Sequence, residues 1–176
     1  MDTPKNNMYK PDGFVKNIIL PRRSRRARRK TKMNKSQKAV SCFNNGFNCS
    51  QAVFAAFSPT LGILENVAFK IACPFGAGMG RMQETCGAVT GAFMVIGLKH
   101  GKSNPEEEHL KELSYELVNK FTEMFKARNK TIKCRDLIGI DISTKEGLEK
   151  ARDMGLFTSL CAKYVQDAVE IIEIIL

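Results

Sequence analysis

The chain lacks any apolar run long enough to cross a membrane. Its longest uncharged, mainly apolar stretch runs from Thr85 to Leu98, short of the roughly 20 residues that a helical span needs. No apolar segment follows the N-terminal arginines, so neither a secretory nor a twin-arginine export signal is written there, and the expected compartment is the cytoplasm. Cys-x-x-Cys and Cys-x-x-Cys-His are both missing, which excludes a zinc ribbon, a thioredoxin motif and covalent haem c. With two histidines in the whole chain, no Ser-His-Asp or Cys-His arrangement can be argued, and hydrolase chemistry is not supported. The glycine-rich stretch from Gly76 to Gly80 has no Gly-Lys-Ser/Thr ending and no preceding strand, so a nucleotide site is poorly supported too.

What is present is ordinary in amount and unusual in placement. Of 176 residues, 43% are hydrophobic and 26% charged, enough for one domain to bury a core without disulfides. The net charge of +10 belongs almost wholly to one end. Residues 1–32 carry 11 Lys and Arg against 2 Asp and Glu, whereas residues 33–176 carry 17 against 16. The second part is nearly neutral, so a basic-groove nucleic-acid domain is not expected. Residues 1–32 read as a disordered basic tail with few apolar positions. The run from Arg22 to Lys30 also fits a translated ribosome-binding leader, which would put the natural start at Met33.

From Met33 onward the pattern is helical, and no stretch alternates convincingly with period two. Lys35 to Asn45 carries Ala39, Val40 and Phe43 on one side and ends at Gly46. A second helix opens at Asn48–Cys49–Ser50 and stops before Pro59, and a third spans Glu65 to Cys73, cut by Pro74. After the glycine-rich loop, Glu84 to Lys99 forms a helix of small side chains. Asn104 as N-cap, Pro105 at the first helical position and Glu106, Glu107 and Glu108 at the dipole mark the next helix. Its apolar face is Leu110, Leu113, Leu117, Phe121 and Met124. Ser143 and Glu146 form a capping-box pattern for a helix through Leu156, and the last helix runs from about Cys161 to the end. The expectation is an all-α, single-domain bundle of about six to eight helices over residues 33–176.

Six cysteines in a reducing compartment point to metal binding or redox chemistry. Cys49 and Cys161 each open a helix in this reading, Cys86 lies in a first turn, and Cys134 precedes the apolar pair Leu137–Ile138. Helix starts stabilise thiolates, so these four can converge on one anionic centre. Cys42 and Cys73 are expected to be buried packing residues. Gly87 and Gly91, one turn apart, serve close helix packing; a backbone passing a bulky inorganic cluster would need glycine in the same places. His100 and His109 are expected on the solvated surface, and Glu106–Glu108 form a helix-start charge run.

Three segments together are familiar. Phe47–Asn48–Cys49–Ser50–Gln51–Ala52–Val53, Phe75–Gly76–Ala77–Gly78–Met79–Gly80–Arg81 and Cys86–Gly87–Ala88–Val89–Thr90–Gly91 resemble the C_GCAxxG_C_C family, whose later single cysteines match Cys134 and Cys161. The resemblance covers nearly all of residues 36–175. Members are described as redox-active proteins with four characteristic cysteines, and a similar module in split-Soret cytochromes carries an iron–sulfur cluster. The likeness implies Cys49, Cys86, Cys134 and Cys161 as metal ligands; Gly76, Gly78, Gly80, Gly87 and Gly91 are the positions where bare backbone would let such a cofactor approach closely. Ala77 departs from the glycine expected in that loop, and Cys42 and Cys73 fall outside the pattern.

The expected function is therefore electron transfer by a two-iron or four-iron cluster held by four thiolates. The alternatives are a metal-free thiol–disulfide protein cycling between two pairs, and a non-catalytic interaction module with a four-cysteine zinc site. The expected partner is a redox protein of unspecified identity. A homodimer is left open, nucleic acid and membrane insertion are not expected, and whether catalysis occurs is undecided.

Overall fold

The computed structural model describes residues 33–176. The basic tail of residues 1–32, with the reading of it as a leader upstream of Met33, lies outside the described residues. Within them the chain is all-α, with eight α-helices and no strand. They are α1 (Lys35–Asn44), α2 (Cys49–Phe57), α3 (Glu65–Ala72), α4 (Gly87–His100), α5 (Glu108–Asn129), α6 (Cys134–Ile138), α7 (Lys145–Asp153) and α8 (Ala162–Ile175). No helix among the described residues is long and apolar enough to cross a membrane.

Local signals account for several ends. Asn34 and Asn48 each form a capping box, with Gln37 and Gln51 bonding back to the cap N–H. Pro59 sits at the start of a 3-10 turn, Ser58–Leu61, and Pro74 in another, Cys73–Phe75, so neither α2 nor α3 continues. Helix α4 is apolar on every side and is accordingly central, with Ala88, Val89, Ala92, Val95 and Ile96 buried. It packs most closely on α2, where a β-carbon on Gly91 would lie 2.7 Å from the Ser50 carbonyl oxygen and 3.0 Å from Val53 Cβ. Phe121 and Phe125 of α5 stack at 5.8 Å and meet Val165, Ala168, Val169 and Ile172 of α8 in the main core. A smaller apolar cluster gathers Cys134, Ile138, Ile142, Ala151 and Cys161.

Four boundaries differ from the sequence reading. Helix α4 begins at Gly87 and not at Glu84, because residues 84–86 are extended and Thr85 forms an antiparallel bridge with Lys133. Helix α5 begins at Glu108, since Asn104 does not cap it; the Glu107 carboxylate turns back to accept from the N–H groups of Ser103 (2.8 Å) and Asn104 (3.2 Å). Thr144, one residue after Ser143, caps α7 by accepting from Gly147 N–H, and α7 stops at Asp153. Phe157–Cys161 is a π-helical turn running into α8, so Cys161 lies inside a continuous helical stretch and does not open a helix.

Candidate redox site

Each of the four patterned cysteines reaches the site by a different local device. Cys49 is the first residue of α2, whose capping residue is fastened to the α3 side: Asn48 Nδ2 donates to the Cys73 carbonyl at 2.8 Å and Gln51 Nε2 to that of Phe69 at 3.0 Å. Cys86 and Cys134 end the two extended segments joined at Thr85–Lys133. Cys86 N–H donates to the Ile132 carbonyl (2.8 Å) and Cys134 N–H to the Glu84 carbonyl (2.7 Å). Each chain then turns into a helix, with Cys86 as N-cap of α4 and Cys134 as first residue of α6. Cys161 comes from the π turn.

All four are buried and line one cavity of about 360 Å³, where the main core, holding Cys49 and Cys86, meets the smaller cluster holding Cys134 and Cys161. The walls are apolar, from Phe43, Leu137, Ile138, Ile142 and Phe157. The Tyr164 hydroxyl also faces this region and donates to the Leu137 carbonyl at 3.0 Å. Burial, and then the neighbouring Cys161, Cys86 and Cys134, push its pKa up.

The glycines divide by what a side chain would meet there. A β-carbon on Gly87 would stand 2.4 Å from the Cys49 sulfur, and one on Gly78 would stand 2.6 Å from Cys134 Cβ. Gly76 packs on the Asn48 side chain and Gly91 on α2, so both serve packing; Gly80 has only the Pro74 carbonyl oxygen nearby, at 3.7 Å. Residues 77–81 wind left-handed, with φ of 55° at Ala77, 67° at Gly78, 65° at Met79, 67° at Gly80 and 72° at Arg81. Gly80 N–H closes this turn on the Gly76 carbonyl at 2.9 Å. Three non-glycine residues in that conformation cost about 1–2 kcal/mol each, a strain stored against the cysteine cavity.

The turn turns a donor toward Cys49. The neighbouring Cys86 thiol, and then the N–H groups of Ala77, Ser50 and Cys49, favour the charged form of Cys49. Together they outweigh burial and hold its pKa below the ordinary thiol value. Cys86, as donor in a buried site beside that charge, is pushed well up. Burial pushes Cys134 up to about 12 and raises Cys161 further.

The remaining candidates lie elsewhere. Cys73 is exposed, so the expectation of a buried packing residue there is corrected; Cys42 packs against the main core but is only half-buried. His109 is exposed and His100 half-buried at the end of α4. Gln83 went unnoticed in the sequence and is almost fully buried. Its Nε2 donates to the Ile140 carbonyl (2.7 Å) and its Oε1 accepts from Ile142 N–H (3.1 Å), tying the segment after α6 to the bridge. Nothing local marks it, since its partners lie nearly sixty residues away.

A family model, "Putative redox-active protein (C_GCAxxG_C_C)", matches residues 47–175. The chain belongs to the C_GCAxxG_C_C family. No curated protein and no solved structure matches it. The matched span of this C_GCAxxG_C_C protein begins two residues before Cys49 and ends within α8, so it takes in every wall of the cysteine cavity except Phe43 and Gly46.

Proposed function

We propose that this redox-family protein carries electrons on an iron–sulfur cluster held by Cys49, Cys86, Cys134 and Cys161. The observation that carries the reading is the meeting of four buried thiols around one cavity. Four cysteines are the donor set of two-iron and four-iron centres. The cradle suits a bulky group, because Gly87 and Gly78 leave bare backbone beside Cys49 and Cys134. When bound, the cluster would supply a one-electron carrier. The chain's own part is to shed thiol protons on loading, to aim N–H groups at Cys49, and to keep water out with its apolar walls.

One observation favours a second reading. Cys49, whose charged form is favoured, neighbours the Cys86 thiol, so in metal-free protein the Cys49 thiolate and the Cys86 thiol could close a disulfide, giving up two electrons and one proton to a second disulfide, which is reduced to a thiol and a thiolate.

The deciding experiment is anaerobic purification followed by iron, sulfide and zinc analysis and a visible spectrum. Bound iron and sulfide with broad sulfur-to-iron absorption support the cluster, and each of Cys49→Ser, Cys86→Ser, Cys134→Ser and Cys161→Ser should then lose most of it. Cys42→Ser and Cys73→Ser should retain it. Full iron in two or more of the first four variants overturns the ligand set. Colourless, metal-free protein that loses two thiols on mild oxidation establishes the second reading, and one zinc per chain overturns both.

A further inference from the structure

The four arginines of residues 33–176 divide two and two. Arg128 pairs with Asp167 (3.2 Å) and Glu170 (2.8 Å), fastening α5 to α8, and Arg135 pairs with Asp141 (3.6 Å). Arg81 and Arg152 form no ion pair among the described residues, and both line the cysteine cavity while remaining exposed, which places them at its mouth. They arrive from unrelated elements, Arg81 from the left-handed turn and Arg152 from α7. Next to them in the chain are exposed apolar side chains, with the exposed carboxylates Glu84 and Asp153 among them. Met82 is 61% exposed, Met154 is 57% exposed, and Phe47, itself lining the cavity, is 37% exposed.

Arginine, methionine and phenylalanine are the side chains enriched where proteins meet. A guanidinium without an internal carboxylate is a fork open to an external one. Residues 33–176 are nearly neutral overall, so a long-range pull by the whole domain is weak and recognition falls to contacts at this rim.

We infer that the rim is a docking surface for an acidic electron-transfer protein, whose carboxylates engage Arg81 and Arg152 while Met82, Met154 and Phe47 pack against its apolar contact. The inference rests on the redox reading and adds the chemistry of the partner. One electron passes between the partner's own centre and the cysteine site, one being reduced as the other is oxidised, with no bond formed. A small organic anion could use the same two arginines but would have no use for methionines outside the mouth.

The full chain, with its methionine methyl groups isotopically labelled, is titrated by NMR with a plant-type two-iron ferredoxin whose iron is replaced by gallium; basic cytochrome c is the control. Residues 1–32 carry eleven basic side chains and will attract any acidic protein, so the readout is local. Met82 and Met154 methyl signals should shift with the ferredoxin and not with cytochrome c. Their titration midpoint should rise at least about fivefold in the Arg81→Gln/Arg152→Gln double variant, and recover partly in the double Lys variant. Unchanged thermal unfolding shows that these exposed substitutions leave the fold intact. Methyl shifts that are absent, or indifferent to the double variant, overturn the proposal. So do the same shifts produced by succinate alone, which would assign the rim to a small anion. The ferredoxin used is redox-inert, so this result stands apart from iron content, where the cluster reading itself would fail.

Discussion

Gly87 gives the Cys49 sulfur the space that a side chain would occupy: a β-carbon there would lie 2.4 Å from that sulfur and 3.0 Å from the Phe75 carbonyl oxygen. Neither neighbour can retreat cheaply, since Cys49 sits at a capped helix start and Phe75 precedes the left-handed turn. Gly87→Ala should therefore destabilise the protein by about 1–3 kcal/mol, as overpacking does, and, on the cluster reading, lower its iron content, with Gly87→Val more severe. Gly97 in the same helix has nothing within 4 Å, so Gly97→Ala should stabilise by up to about 1 kcal/mol with iron unchanged. Thermal unfolding and iron analysis on the two variants check the contrast.

Ala77 occupies φ 55°, ψ 38°, where a β-carbon is strained. Ala77→Gly should raise stability by about 1 kcal/mol while keeping the N–H that faces Cys49. A fall in the denaturation midpoint would mean that the Ala77 methyl packs for more than its backbone costs.

Gln83→Ala leaves the Ile140 carbonyl and the Ile142 N–H without the partners they now have. Two such buried groups cost about 2–4 kcal/mol. Amide exchange at Ile142 should quicken by more than global destabilisation explains, because the tie between the bridge and the segment after α6 is lost.

Asp167 sets the acid limit. Burial pushes its carboxyl up, yet the Lys163 ammonium and the Arg128 guanidinium outweigh it and hold the carboxyl below its ordinary value. Glu170 is likewise held low, by Gln166 and then Arg128. A depressed carboxyl adds stability above its unfolded value of about 3.9 and loses it as pH falls through the folded one. Unfolding temperature should fall below about pH 4, and Asp167→Asn should flatten that fall while lowering the plateau near neutrality.

Cys73 is exposed, whereas Cys42 is half-buried with its thiol pushed up to about 11 by burial and then by Glu65. One thiol per native chain should react quickly with a maleimide, and mass spectrometry should map it to Cys73. Cys73→Ser should change stability by less than about 0.5 kcal/mol.

The all-α architecture and most helix positions were legible in the chain itself, because apolar spacing and prolines act within a few residues. The motif around Cys49 and Cys86 was legible for the same reason. Tertiary structure decided the rest. The bridge of Thr85 to Lys133 shortens α4 at its start and makes Cys86 a cap, and no spacing rule links segments so far apart. The π turn at Phe157–Cys161 removed the helix start expected at Cys161, since a one-residue insertion in a helix has no composition of its own. Gln83, Tyr164 and the arginine pair Arg81 and Arg152 are ordinary residues in ordinary surroundings along the chain. They acquire roles only where α2, the left-handed turn, α6, α7 and α8 close around one cavity, because burial and unpaired charge belong to the folded surface and not to any stretch of sequence.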